Sequence, residues 1–209
     1  MFARSTKTLV GVAAIAIVLL VTPSPANAGA ADLSTARAAT AGFHQLAAAD
    51  NAGYKILVRD LAGITCITSP GVGVMGIHYV NGLALGDAVV DPAKPEALVY
   101  QPLPNGKLRL VAVEYIVFEG AWLLAGNTSA PRLFDQPLKL IPMGNRYGLP
   151  PFYELHAWIW QNNPDGMFKD WNPSGSCARS TRELPRTELT ISGIAKAGND
   201  VALLVEAFV

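Results

Sequence analysis

Charge is scarce in this sequence. Of 209 residues only 15% are Asp, Glu, Lys or Arg, and the two signs balance at sixteen each. A nucleic-acid partner calls for a basic surface that displaces counterions, and no such surplus exists, so no nucleic acid is expected. Cysteine is nearly missing, with only Cys66 and Cys177. No Gly-x-Ser-x-Gly elbow is present, which removes the usual serine-hydrolase nucleophile. Gly71-Val-Gly73 lacks the third glycine and the following helix of a phosphate-binding loop, so it reads as a turn. There is no internal repeat. Only one apolar run is long enough to suggest a membrane, and it lies at the start.

That start has three parts. Arg4 and Lys7 give a positive charge, Leu9 to Val21 is uninterruptedly apolar, and Thr22-Pro-Ser-Pro leads to Ala26-Asn27-Ala28. A basic segment, an apolar segment and a small-x-small site make a cleavable secretory signal peptide over 1–28. The apolar run is short for a bilayer span, which needs about 20 residues. No Cys follows it closely, so a lipid-modified N-terminus is not expected. The mature protein is then secreted or periplasmic, with no stable membrane span.

Removing 1–28 from 209 residues leaves 181, one domain on the usual size prior. It removes two of the sixteen basic residues and no acidic one, a net charge of −2. In an oxidising compartment an even pair of cysteines is commonly joined. A Cys66–Cys177 disulfide would close a loop of about 110 residues, worth roughly 4–5 kcal/mol in the chain-entropy model. Two buried thiols or a pair of metal ligands are the alternatives.

Residues 33–52 read as a helix. Ser34 can cap it, Ala36, Ala39, Phe43, Leu46 and Ala47 recur at helical steps, and Asn51-Ala-Gly53 can stop it. His44, inside it, reads as a surface or packing residue. The pattern then changes to short β-branched and aromatic segments cut by Gly and Pro. Strands are expected near 54–59, 63–68, 74–80, 97–101, 108–118 and 153–160, with two more at 187–194 and 201–208. Pro104-Asn-Gly106 is a hairpin signal. Residues 119–152, rich in Pro, Gly and Asn, read as a long loop of the kind that forms a functional lid. Helix first and many strands after it make the class α+β, mostly antiparallel sheet with an N-terminal helix packed on it. The domain would cover 29–177, and 178–209 would be a C-terminal extension able to form a hairpin.

Four polar residues interrupt apolar strands. Alternation over 108–118 places Leu110, Ala112, Ile116 and Phe118 on one face with Glu114 among them. Glu154, His156, Trp158 and Trp160 share a face of 153–160, with Glu154 and His156 about 7 Å apart at the backbone. His78 sits in Met75-Gly-Ile-His-Tyr-Val-Asn81. A carboxylate on an apolar face must find a partner. Two His and one or two carboxylates can hold a single divalent transition metal, the ligand set of non-haem iron and some zinc centres. Trp158 and Trp160 would wall the pocket. A metal-free site for a small molecule uses the same residues, and so does a purely structural His/Glu network. Glycoside-hydrolysis pairs can be drawn from Glu114, Glu154, Asp165 and Asp170, but any protein offers such pairs.

Several stretches carry a resemblance. Met75-Gly-Ile-His-Tyr-Val-Asn81, Asp91-Pro-Ala-Lys-Pro-Glu-Ala-Leu-Val-Tyr100, Leu110-Val-Ala-Val-Glu-Tyr115, His156-Ala-Trp-Ile-Trp160, Asn163-Pro-Asp-Gly-Met-Phe168 and Asp170-Trp-Asn-Pro173 resemble a family of uncharacterised exported bacterial proteins. The likeness covers about 40–177 and does not reach the last 32 residues. It implies export and one small domain, and it implies no activity. The expected protein therefore binds a small molecule or a metal at His78, Glu114, Glu154 and His156 under the 119–152 loop, with enzyme action left open. The alternative is a non-catalytic envelope or extracellular interaction module. Oligomeric state does not follow from the sequence.

Overall fold

The computed structural model describes residues 25–177; most of the expected 1–28 signal peptide, residues 1–24, and the expected 178–209 extension, with its two expected strands, lie outside the described residues. Helix α1 spans Pro25–Thr40, a 3-10 turn follows at Ala41–His44, and α2 spans Leu46–Asn51. The strands are β1 (Tyr54–Leu57), β2 (Cys66–Ser69), β3 (Gly73–Asn81), β4 (Ala97–Pro102) and β5 (Leu108–Phe118). Helices α3 (Gly82–Leu85) and α4 (Glu119–Leu124) are short. Strands β6 (Arg132–Leu133), β7 (Gln136–Pro137), β8 (Lys139–Ile141) and β9 (Phe152–Ala157) follow.

Seven strands form one sheet in the order β1-β3-β4-β5-β9-β8, with β2 also on β3 and every pairing antiparallel. This is the expected α+β architecture. No described helix is long and apolar enough to cross a membrane. Cys66 and Cys177 form a disulfide across 111 positions, tying β2 to the end of the described chain.

The sheet is buried on both faces, which explains why β3 to β5 read as almost continuous apolar runs. On the helix side, Ile77, Tyr79, Leu98, Tyr100, Val113, Tyr115 and Leu155 pack with Ala36 of α1 and Ala49 of α2. Tyrosines on this side still satisfy their hydroxyls. Tyr54, Tyr100 and Tyr115 donate to the carbonyls of Pro95, Phe43 and Pro92 at 2.7–2.8 Å. The second face carries Val99, Val111, Ala112 and Trp158 at one end and the polar residues at the other.

The helical segment differs from expectation. It starts at Pro25, so Ser34 lies inside it rather than at its cap. It breaks at 41–45, where Thr40 turns its hydroxyl back to the Ala36 carbonyl at 2.7 Å and Gly42 follows. Both features weaken a helix. Strand β5 also departs from simple alternation. Its register with β4 shifts between Val99 and Tyr100, so Leu110 joins the helix-side core instead of sharing a face with Glu114. An extra residue in one strand moves everything beyond it to the other face. The 119–152 segment is not one loop. It holds α4, the β6–β7 hairpin and β8, and Tyr147 and Leu149 from it line the cavity on the polar face. The Pro104-Asn-Gly106 turn forms as expected, with Leu103 and Lys107 paired at 2.7 Å and Gly106 at φ 78°.

Candidate functional site

Register alone brings the polar residues together. Glu114 on β5 stands opposite His156 on β9, and Glu154 stands opposite Lys139 on β8. His78 comes from β3, with β4 between it and β5. Its neighbour there is Val99, and the neighbour of Glu114 is Ala97. Those side chains are short enough for His78 and Glu114 to meet above β4. His78, Glu114, Glu154 and His156 are 3%, 5%, 3% and 0% exposed.

His78 Nε2 lies 3.3 Å from His156 Nε2 and 3.5 Å from Glu114 Oε2. His156 Nδ1 lies 3.6 Å from Glu114 Oε1. The two His156 separations use different ring nitrogens, and an imidazole offers only one nitrogen to an ion, so a single ion would take one donor atom from each residue. The three residues form a group whose donor atoms all fall within 4.8 Å of one another. Nδ1 of His78 and Nδ1 of His156 have no hydrogen-bond partner among the described residues. The Gly76 backbone favours a charged His78 without making a well-formed bond to that nitrogen.

Burial sets the charge state. It pushes both imidazoles down to about 3, helped for His78 by His156 and for His156 by Lys139. Both are therefore neutral near pH 7, the state that binds metals. Burial raises Glu114 well above the usual carboxylate range, and the neighbouring Glu154 adds to the rise. Glu154 is raised to about 7 by burial and Asp170, against the pull of Lys139. The two carboxyls interact with each other, and a hydrogen bond between them requires that one be protonated.

The site has two approaches. A small apolar cavity of about 50 Å³ ends on His78 and Glu114 and is walled by Ile56, Val80, Leu85, Ile116, Tyr147 and Leu149. On the other side, an open groove of about 640 Å³ reaches Glu154, with Lys139, Phe168, Asp170 and Trp171 along it. Lys139 pairs there with Asp170 at 2.5 Å and lies 3.8 Å from Glu154. Glu154, His156 and Asp170 form a second close group of donors, already neutralised in part by the Lys139 ammonium.

All four expected residues thus sit together. The expected tryptophan walls do not border the cavity. The strand ends at Ala157, so Trp160 leaves for the helix side, donating to Thr40 and packing on His44 at 4.5 Å. Trp158 packs against Val99, Val111 and Ala112 and donates to the Lys169 carbonyl. The sequence reading missed Tyr147 and Leu149. Asn145 presents both: its Oδ1 accepts from the amides of Tyr147 and Leu149, and its Nδ2 donates to the carbonyls of Pro142 and Leu149. Gly144-Asn145 is a turn-forming pair by residue type, but the sequence does not say which surface that turn covers. Protein-family models, curated proteins and solved structures yield no match to this chain.

Proposed function

We propose that this is an exported protein that holds one divalent transition-metal ion on His78, Glu114 and His156. The carrying observation is the convergence of His78, Glu114 and His156 from β3, β5 and β9, one donor atom of each within 4.8 Å of the others, beside a cavity. Glu154 stands behind Glu114 as the group that takes its proton when metal binds, and Lys139 and Asp170 connect it to the groove. Two neutral imidazoles and one carboxylate leave coordination positions open for water or another small ligand. The cavity has room for molecules of that size and little more. The export reading draws on the 1–28 pattern and on the Cys66–Cys177 disulfide, which suits an oxidising compartment.

Elemental analysis of protein exported to an oxidising compartment without a chelating tag tests this. About one equivalent of a transition metal is expected, lost in His156→Ala with the fold retained by circular dichroism. No metal after reconstitution with zinc, iron or manganese sinks the proposal. One observation favours a second reading. Glu114 and Glu154 satisfy each other with a shared proton, and Lys139 balances Glu154, so the network can close without an ion. A protein that stays metal-free is then an interaction module with a structural polar layer.

A further inference from the structure

Helix α1 runs through the small-x-small sequence Ala26-Asn27-Ala28, and its next residue, Gly29, is buried. A Cβ on Gly29 would collide with Asp135 Oδ2 and lie 3.2 Å from Asp135 Cγ. The carboxylate therefore rests against the Gly29 backbone, and the Gly29 nitrogen is one bond from that Cα. Asp135 is held there firmly. It and Phe134 form the two-residue turn between β6 and β7, at φ 60° and 52°. Phe134 anchors that turn by stacking on Phe168 and meeting Tyr115 edge-on. Arg132 donates to the Asp135 carbonyl at 2.7 Å. Among the described residues the Asp135 carboxylate itself has no hydrogen-bond or ion-pair partner.

We propose that cleavage after Ala28 creates an intramolecular ion pair between the new α-ammonium of Gly29 and Asp135. This rests on the export reading. While the chain begins upstream, the amides of residues 29–32 bond to the carbonyls of residues 25–28 in the same helix. Cleavage removes those carbonyls and leaves the new ammonium and the amides of residues 30–32 without helical partners. It also puts a positive charge at the positive end of the helix dipole, which is unfavourable. Asp32 falls in the first turn of the cleaved helix and offsets part of this. Asp135 adds a second negative charge, from a separate hairpin, against the residue that carries the ammonium. The same pair docks the helix start onto β6–β7. A side chain at position 29 would displace that carboxylate.

The test crosses processing with Asp135. The precursor is exported, and its N-terminus is read by sequencing and intact mass. Asp135→Asn is made in that form and in one whose cleavage site is moved upstream, so that the mature chain starts at Pro25. In the Gly29 form, D135N should lower the melting temperature by about 1–3 °C at low salt, less at high salt. In the Pro25 form the same substitution should have little effect. Equal effects in both forms, or none in either, overturn the ion pair while leaving export intact. An N-terminus other than Gly29 overturns the proposal at its premise.

Discussion

Buried carboxyls are the most informative residues here, and Glu96 isolates their behaviour away from the site. It is 2% exposed, and one oxygen accepts the Ile116 amide at 2.8 Å. Burial raises it from 4.5 to about 8. The folded protein therefore keeps a proton that the unfolded chain releases. Its stabilising contribution is complete below about pH 4.5 and is lost as pH rises through about 8. His78 and His156 act in the opposite sense. Their folded values of about 3 against 6.5 mean stability is present above pH 6.5 and lost as pH falls toward 3. Glu96→Gln keeps an acceptor for Ile116 and removes the titration. Its melting temperature should fall less than the wild type's between pH 5 and pH 8. An identical slope in thermal scans would show that Glu96 is not the buried acid described.

At the scale of elements, the segment over the site is organised by one side chain. Asn145 makes four hydrogen bonds within its own turn, and the turn is clamped from outside by Arg146 on Asp60 at 2.7 Å. Leu61 also donates its amide to the Arg146 carbonyl at 2.9 Å. Asn145→Ala should cost about 1–3 kcal/mol, the usual penalty for stranding partly buried polar groups. Urea unfolding measures it. Because the same turn presents Tyr147 and Leu149, the variant should also bind a hydrophobic dye more strongly through the opened cavity. A variant with unchanged stability and dye binding would mean the clamp on Asp60 suffices alone. The elements that the sequence announced best were the long strands. Apolar runs bounded by turns marked 74–80, 97–101 and 108–118 to within a residue or so. The short pieces α3, α4, β6, β7 and β8 left no such trace, because two to six residues cannot establish a period.

For the whole molecule, the disulfide has the largest reach. It links residues 111 apart, joining β2 at the sheet edge to the segment that follows Trp171. Reducing it relaxes nearly the entire described domain in the unfolded state. The double variant Cys66→Ala, Cys177→Ala should lose roughly 3–5 kcal/mol in denaturant unfolding. The polar face should survive, since its four residues hang on β3, β5 and β9, and neither cysteine touches them. Metal content per folded molecule should therefore equal that of the oxidised protein. A double variant that folds but has lost its metal would show that the covalent tie shapes the site.

The sequence by itself determined the class and the candidates. Alternation and turn chemistry are local, so they marked strands. Four polar side chains in apolar strands had to be paired, so they marked a site. It could not say that His78 would reach Glu114 over the short side chains of β4, because that depends on strand order and register. Nor could it show that Tyr147 caps the cavity, that Trp158 and Trp160 stand elsewhere, or that Asp135 lies against Gly29. Most of those contacts join residues more than 30 positions apart, and only the closing of the sheet and the packing of its two faces select them.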